Sequence, residues 1–123
     1  MSDPARKTAE LDALIEAVEA GDATEFQFFT WRPGLTGTKK ESRTMMKAYN
    51  GSLDAAKALH DALLPGWKWG AHEPKLGVFR VYVSPWSPLR PVPETAEAAT
   101  TARAWLLAIL RAYRAKIAAG CAA

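Results

Sequence analysis

A chain of 123 residues that is 49% hydrophobic and 24% charged has the make-up of one globular domain. At that size it buries roughly two-thirds of its unfolded surface. No apolar run approaches the roughly 20 residues needed to span a bilayer, and the opening MSDPARKTAELD has no apolar segment behind its charges, so neither a membrane helix nor a secretory signal is expected.

The net charge of +3 conceals an asymmetry. Residues 1–25 hold two basic and seven acidic side chains, a balance of −5, so the rest of the chain is +8. A basic body behind an acidic first segment suits nucleic acid, an acidic protein surface, or the chain's own N-terminal helix. One cysteine, Cys121, has no partner for an intrachain disulfide and sits too near the end to suggest catalysis, which fits a reducing cytoplasm.

In chain order, residues 8–20 read as a helix. Leu11, Leu14, Ile15 and Val18 form its apolar stripe, Glu10, Asp12, Glu16 and Glu19 lie opposite, Thr8 caps it and Gly21 stops it. Asp22 is placed to cap a short aromatic piece over residues 23–29, whose pattern fits a helix or a strand. Residues 32–51 are broken by Pro33, Gly34, Gly37 and Gly51 and read as a long basic loop, with a helical turn or two around 42–48.

The stretch SLDAAKALHDALLPGWKW, residues 52–69, is the most strongly patterned. Ser52 is an N-cap, Asp54 meets the positive end of the helix dipole, and Leu53, Ala56, Leu59, Leu63 and Leu64 share a face. Pro65-Gly66 stops the helix, and Trp67 and Trp69 then alternate with Lys68 as in a strand with one buried face. A hairpin over about 67–84 follows, with Phe79, Val81 and Val83 directed at the helices. Four prolines between 84 and 93 predict a stiff crossover rather than a strand. The final helix starts between 94 and 102, capped by Thr95, Thr100 or Thr101, and buries Ala102, Trp105, Leu106, Ile109, Leu110 and Tyr113. The expected fold is therefore α+β: a small antiparallel sheet packed by N-terminal, central and C-terminal helices in a sandwich-like arrangement, one domain over 1–123 with flexible ends near 1–7 and 119–123.

The chemistry-bearing residues are few. His60 and His72 are the only histidines, and no Cys, His or carboxylate spacing suits a metal. His60 reads as a partly exposed polar residue; the weaker alternative is a small enzyme or ligand site using His60, Asp61 and His72. GLTG at 34–37 followed by Thr38-Lys39-Lys40 lacks the strand and spacing of a phosphate loop. No nucleophile motif is present, so neither catalytic residue nor cofactor is assigned. A contact surface is the better expectation. Trp31 and Trp86 lie in irregular Pro-flanked segments, where aromatic side chains serve as interface anchors. Arg32, Lys39, Lys40, Arg43 and Lys47, with Tyr49, offer phosphate contacts and stacking, and Arg90 adds a charge beside Trp86.

The opening LDALI-x-A-V-E-A helix, the Y-x-x-SLDAA helix, PGW-x-W, the aromatic–valine strand and the closing ARAWLLAILRA helix together resemble the phage ABA-sandwich family. The matching residues are 11–20, 49–56, 65–69, 79–83 and 102–111. The family comprises small proteins of tailed phages and prophages, many in proteobacteria, so the resemblance implies helices over a small antiparallel sheet and carries no catalytic residues. The basic segment 30–48 and the proline stretch depart from the family pattern.

The function expected is that of a non-enzymatic phage or prophage accessory protein in the host cytoplasm, binding a host or phage protein. An inhibitor of a host defence system such as an anti-CRISPR is one case. Nucleic-acid binding through 32–47 and a virion-associated or assembly role are the alternatives. A homo-oligomer packed through the alanine-rich face over 96–108 is also open.

Overall fold

The chain forms α1 (Pro4–Ala20), α2 (Glu25–Thr30), α3 (Lys40–Tyr49), α4 (Leu53–Leu63), β1 (Lys68–Lys75), β2 (Val78–Ser84), β3 (Glu94–Ala98) and α5 (Thr101–Ala118). The computed structural model describes residues 4–30, 40–85 and 93–118. The three strands make one antiparallel sheet in the order β1-β2-β3, packed by helices, so the fold is α+β as expected.

Local chemistry sets the helix ends. α1 begins at Pro4 rather than at 8, because proline's fixed φ and missing N–H cost nothing in a first turn. The aromatic piece is helical. Thr24, not Asp22, starts it: its hydroxyl accepts from the Gln27 N–H at 3.3 Å while Gln27 Oε1 accepts from the Thr24 N–H at 2.9 Å, a reciprocal capping box. Ser52 caps α4, its Oγ accepting from Ala55 N–H at 3.1 Å, and Thr100 caps α5 by accepting from Arg103 N–H at 3.2 Å.

Two segments differ from the sequence reading. Residues 40–49, expected as loop with a turn or two of helix, form the full helix α3. Ser42, Met45, Ala48 and Tyr49 are buried on one side while Arg43 and Lys47 are exposed, a spacing that basic residues dilute in the sequence. Residues 94–98, where the last helix was expected to begin, form β3. Glutamate and alanine have low strand propensity, and pairing with β2 overrides it. The proline stretch thus joins two neighbouring antiparallel strands.

The centre of the molecule is α5. Every residue from 104 to 110 is at most 2% exposed, so the helix is buried all round rather than on one face. It packs against β2 and β3, and also against α1, α3 and α4. Ala104, Leu107, Ala108 and Ala112 complete the girdle beyond the apolar face read from the sequence. Because Ala96, Ala102, Ala104 and Ala108 are already buried within the chain, the alanine-rich face expected to meet a second copy is not available for that. The arginines of α5 reach out of this packing. Arg114 pairs with Asp12 at 2.8 Å and Arg111 with Glu19, so part of the acidic first segment is matched by the chain's own basic helix.

His60 is 1% exposed, not the partly exposed residue expected. Its Nδ1 accepts from the Trp105 indole N–H at 3.2 Å and its Nε2 lies 3.0 Å from the Trp67 carbonyl. An indole nitrogen only donates and a carbonyl only accepts, so the ring carries its proton on Nε2. Trp69 stacks on the other side of Trp105, with centroids 3.9 Å apart and planes at 27°. One imidazole therefore ties α4 to α5 and to the chain reversal before β1.

Truncating His60 leaves the buried Trp105 N–H and Trp67 carbonyl without their partner and opens a void. His60→Ala should lower unfolding stability by about 3 kcal/mol, measured by urea denaturation. His60→Gln, which keeps a donor and an acceptor, should recover part of that loss.

Candidate functional site

The alternation of β2 divides its side chains between two faces. Val81 and Val83 turn inward with Phe79, Ala96 and Ala98. The register then sets Lys68, Gly70, His72, Arg80, Tyr82, Ser84, Thr95 and Glu97 on the outer face. Tyr82 sits at its middle, 44% exposed. Its ring lies over Gly70, where a Cβ would come within 2.3 Å of the ring, so glycine there is what lets the aromatic ring lie flat across the sheet. Arg80 pairs with Glu97 across the strands, beside His72. The β1–β2 turn carries Leu76, 95% exposed, next to Gly77 at φ +82°.

The two edges of the sheet differ. Arg111 Nη1 donates to the Thr95 carbonyl at 3.0 Å, from outside the sheet, while its other nitrogen holds Glu19. The β3 edge is therefore guarded by a guanidinium. β1 is the other edge strand of the sheet. Where Pro74 has no N–H to give, the register slips between His72 and Lys75.

A cleft of about 470 Å³ runs beside β3, lined by Glu19, Arg80, Thr95, Ala96, Glu97, Leu107 and Arg111. Its carboxylates and guanidinium groups are paired with one another, which neutralises the lining. Glu94 stands near it. Partial burial pushes the Glu94 carboxyl above the usual carboxylate range, and the nearby Arg111 offsets this in part.

Among the expected contact residues, Arg43 and Lys47 lie exposed on α3, in which Lys40 is the first residue. Trp31, Arg32, Lys39, Trp86 and Arg90 lie outside the described residues. His60, Asp61 and His72 do not form a joint site. His60 is buried with both nitrogens engaged, Asp61 is exposed and paired with Lys57 at 2.7 Å, and His72 is exposed opposite Arg80. Trp69, read as core, stacks on Trp105 yet is 40% exposed. No group of three His, Cys, Asp or Glu among the described residues is placed to hold a metal, and no helix among them is long and apolar enough to cross a membrane. The outer-face set was present in the sequence as the alternate positions Val78, Arg80 and Tyr82 of the second strand, opposite the apolar ones. Compared with known proteins, the chain matches no family model, no curated protein and no solved structure.

The Glu94 shift sets a pH dependence. The folded protein holds this proton more tightly than the unfolded chain, so the stabilisation it gives is present in acid and lost as pH rises through the folded value. Glu94→Gln should therefore melt above wild type at neutral pH. The gap should close as pH falls below about 4, where both side chains are neutral.

Proposed function

We propose that the chain is a non-enzymatic binding protein of a phage or prophage that docks a partner protein on the outer face of its sheet. One observation carries the reading. Of the four large hydrophobic side chains exposed among the described residues, Tyr82 stands on this outer face and Leu76 at the hairpin's turn, whereas Trp69 lies on the inward face against Trp105 and Leu53 is on α4. Scattered surface apolars need no explanation, but Tyr82 laid flat at the centre of the sheet's outer face, set among Arg80, His72 and Lys68, has the aromatic-with-arginine make-up of an interface anchor. The resemblance to the phage ABA-sandwich family favours a host protein as the partner, a component of a defence system targeted by an anti-CRISPR being one case, with a virion component of the phage as the alternative.

A photo-crosslinking residue at position 82, with the protein expressed in a proteobacterial host, should give one discrete protein adduct. The same residue at Lys57, exposed on α4, should not. Equal adducts from both positions, or none from 82, would sink the reading. If the partner belongs to a defence system, phage carrying Tyr82→Ala should plate less efficiently on a defended host than phage carrying Lys57→Ala.

A second reading rests on α3, which exposes Arg43 and Lys47 one turn apart, with Lys40 opening the same helix. Phosphate binding there predicts an affinity for single-stranded DNA that falls steeply with salt, with the slope of log K against log salt reduced by about 1 for each cation removed. Fluorescence anisotropy showing no binding at low salt would end it.

A further inference from the structure

The outer face of the sheet carries a pattern of charge, and from it we infer that the segment docking there is an acidic amphipathic helix of the partner protein. This rests on the reading of that face as the docking surface. The inward residues Val81, Val83 and Ala96 are buried, while Lys68, His72, Lys75, Tyr82, Thr95 and Glu97 are exposed. Lys75 belongs to the outer face because it pairs with Val78, which alternates in step with Arg80 and Tyr82. The face thus holds three cations, Lys68, Lys75 and Arg80, against one carboxylate, Glu97, which Arg80 engages. The carboxylate near the turn, Glu73, accepts from the Gly77 N–H at 2.9 Å. His72 adds a ring N–H, which either tautomer of imidazole offers. A surface of this kind is complementary to carboxylates.

Spacing decides which acidic segment fits. Along β1 the outer positions are Lys68, Gly70 and His72, and the Tyr82 ring covers Gly70. Cation, aromatic ring and N–H donor therefore follow one another at about 6.6 Å, two residues of strand rise. Arg80 pairs with His72 across the ladder and adds its charge at that end. On a helix, residues four apart lie on one side and rise by about 6 Å. A helix lying along β1, with carboxylates at i and i+8 and an apolar residue at i+4, meets all three positions, over about 12 Å against about 13 Å. An extended segment does not suit the face. The N–H and C=O groups of the sheet pair between strands in its plane, so a strand laid on top leaves its own backbone without partners, whereas a helix satisfies its own. A single strand of nucleic acid stacks its bases on successive aromatic rings. Tyr82 is the one ring among the described outer-face residues apart from the His72 imidazole, and Glu97 beside Arg80 repels phosphate.

The test is fluorescence anisotropy with a stapled, alanine-based helical peptide of about 18 residues carrying Glu, Leu and Glu at i, i+4 and i+8. It should bind with a Kd of about 100 μM at low salt, and more weakly as salt rises. Tyr82→Ala, and Lys68→Glu combined with His72→Glu, should each weaken it at least about fivefold. The doubly substituted protein should instead prefer the same peptide with both Glu changed to Lys. The altered side chains are exposed, so circular dichroism should stay that of wild type, and if the double variant does not fold, Lys68→Glu alone is read in the same way. No binding of the Glu peptide, equal binding of the Lys peptide to wild type, or no switch of preference in the substituted protein would each overturn the inference. So would a single-stranded oligonucleotide that displaces the peptide at concentrations below the peptide's own Kd. In cells, an adduct at position 82 that survives Lys68→Glu with His72→Glu undiminished overturns the acidic helix and leaves the docking face standing, whereas the absence of any adduct at 82 removes both.

Discussion

A buried indole N–H must find an acceptor, and much of this structure follows from how Trp105 finds one. The residue sits in the second turn of the most buried helix, where water cannot serve. Only His60 Nδ1 meets the need, and that choice leaves the imidazole's other nitrogen as a donor, which the Trp67 carbonyl accepts. The two bonds fix the angle at which α4 crosses α5 and the point at which the chain turns into β1. Trp69, the next inward residue of β1, then lands on the Trp105 ring. A histidine that resembles a catalytic candidate is thus a joint between three elements.

Burying α5 on all sides has a cost in charge placement, and the molecule resolves it by reach. Arg103, Arg111 and Arg114 extend beyond the apolar girdle to the edges of the packing. Arg103 Nε donates to the Tyr49 carbonyl at 3.1 Å and its guanidinium lies 4.1 Å above the Tyr49 ring. Arg111 spans from Glu19 on α1 to the rim of β3, and Arg114 meets Asp12. These pairs are partly exposed, so each contributes modestly, about 0.2–1 kcal/mol. Their larger effect is positional, since Arg111 ties α1 to the β3 edge of the sheet.

Much of this fold was legible in the sequence where one residue type has one job. Ser52, Thr100, Pro65-Gly66 and the alternation of β2 act locally, and each does in the structure what its chemistry implies. Legibility failed where a partner distant in sequence sets the outcome. β3 is made of glutamate, threonine and alanine and becomes a strand only because β2 offers a ladder. The burial of His60 depends on a tryptophan 45 residues away. For the site, composition directed attention to unusual tryptophans in irregular segments, whereas the exposed aromatic of the sheet sat inside a regular strand. Tyr82 is half of an alternation whose other half faces the core, and alternation does not say whether the outer half is covered.

The order of synthesis adds a consequence. α5 is the last described element in the chain, and every layer packs on it. A ribosome delivers α1 to α4 and all three strands before their common neighbour exists, so Val81 and Val83 on the sheet and Leu11 and Leu14 on α1 emerge with nothing to cover them. The pairs that complete the structure bridge 92 and 102 residues of chain. Long separations of this kind slow folding because loop closure precedes any compensating contact. Local helices and the hairpin can thus form early, while the contacts that complete the core wait for α5.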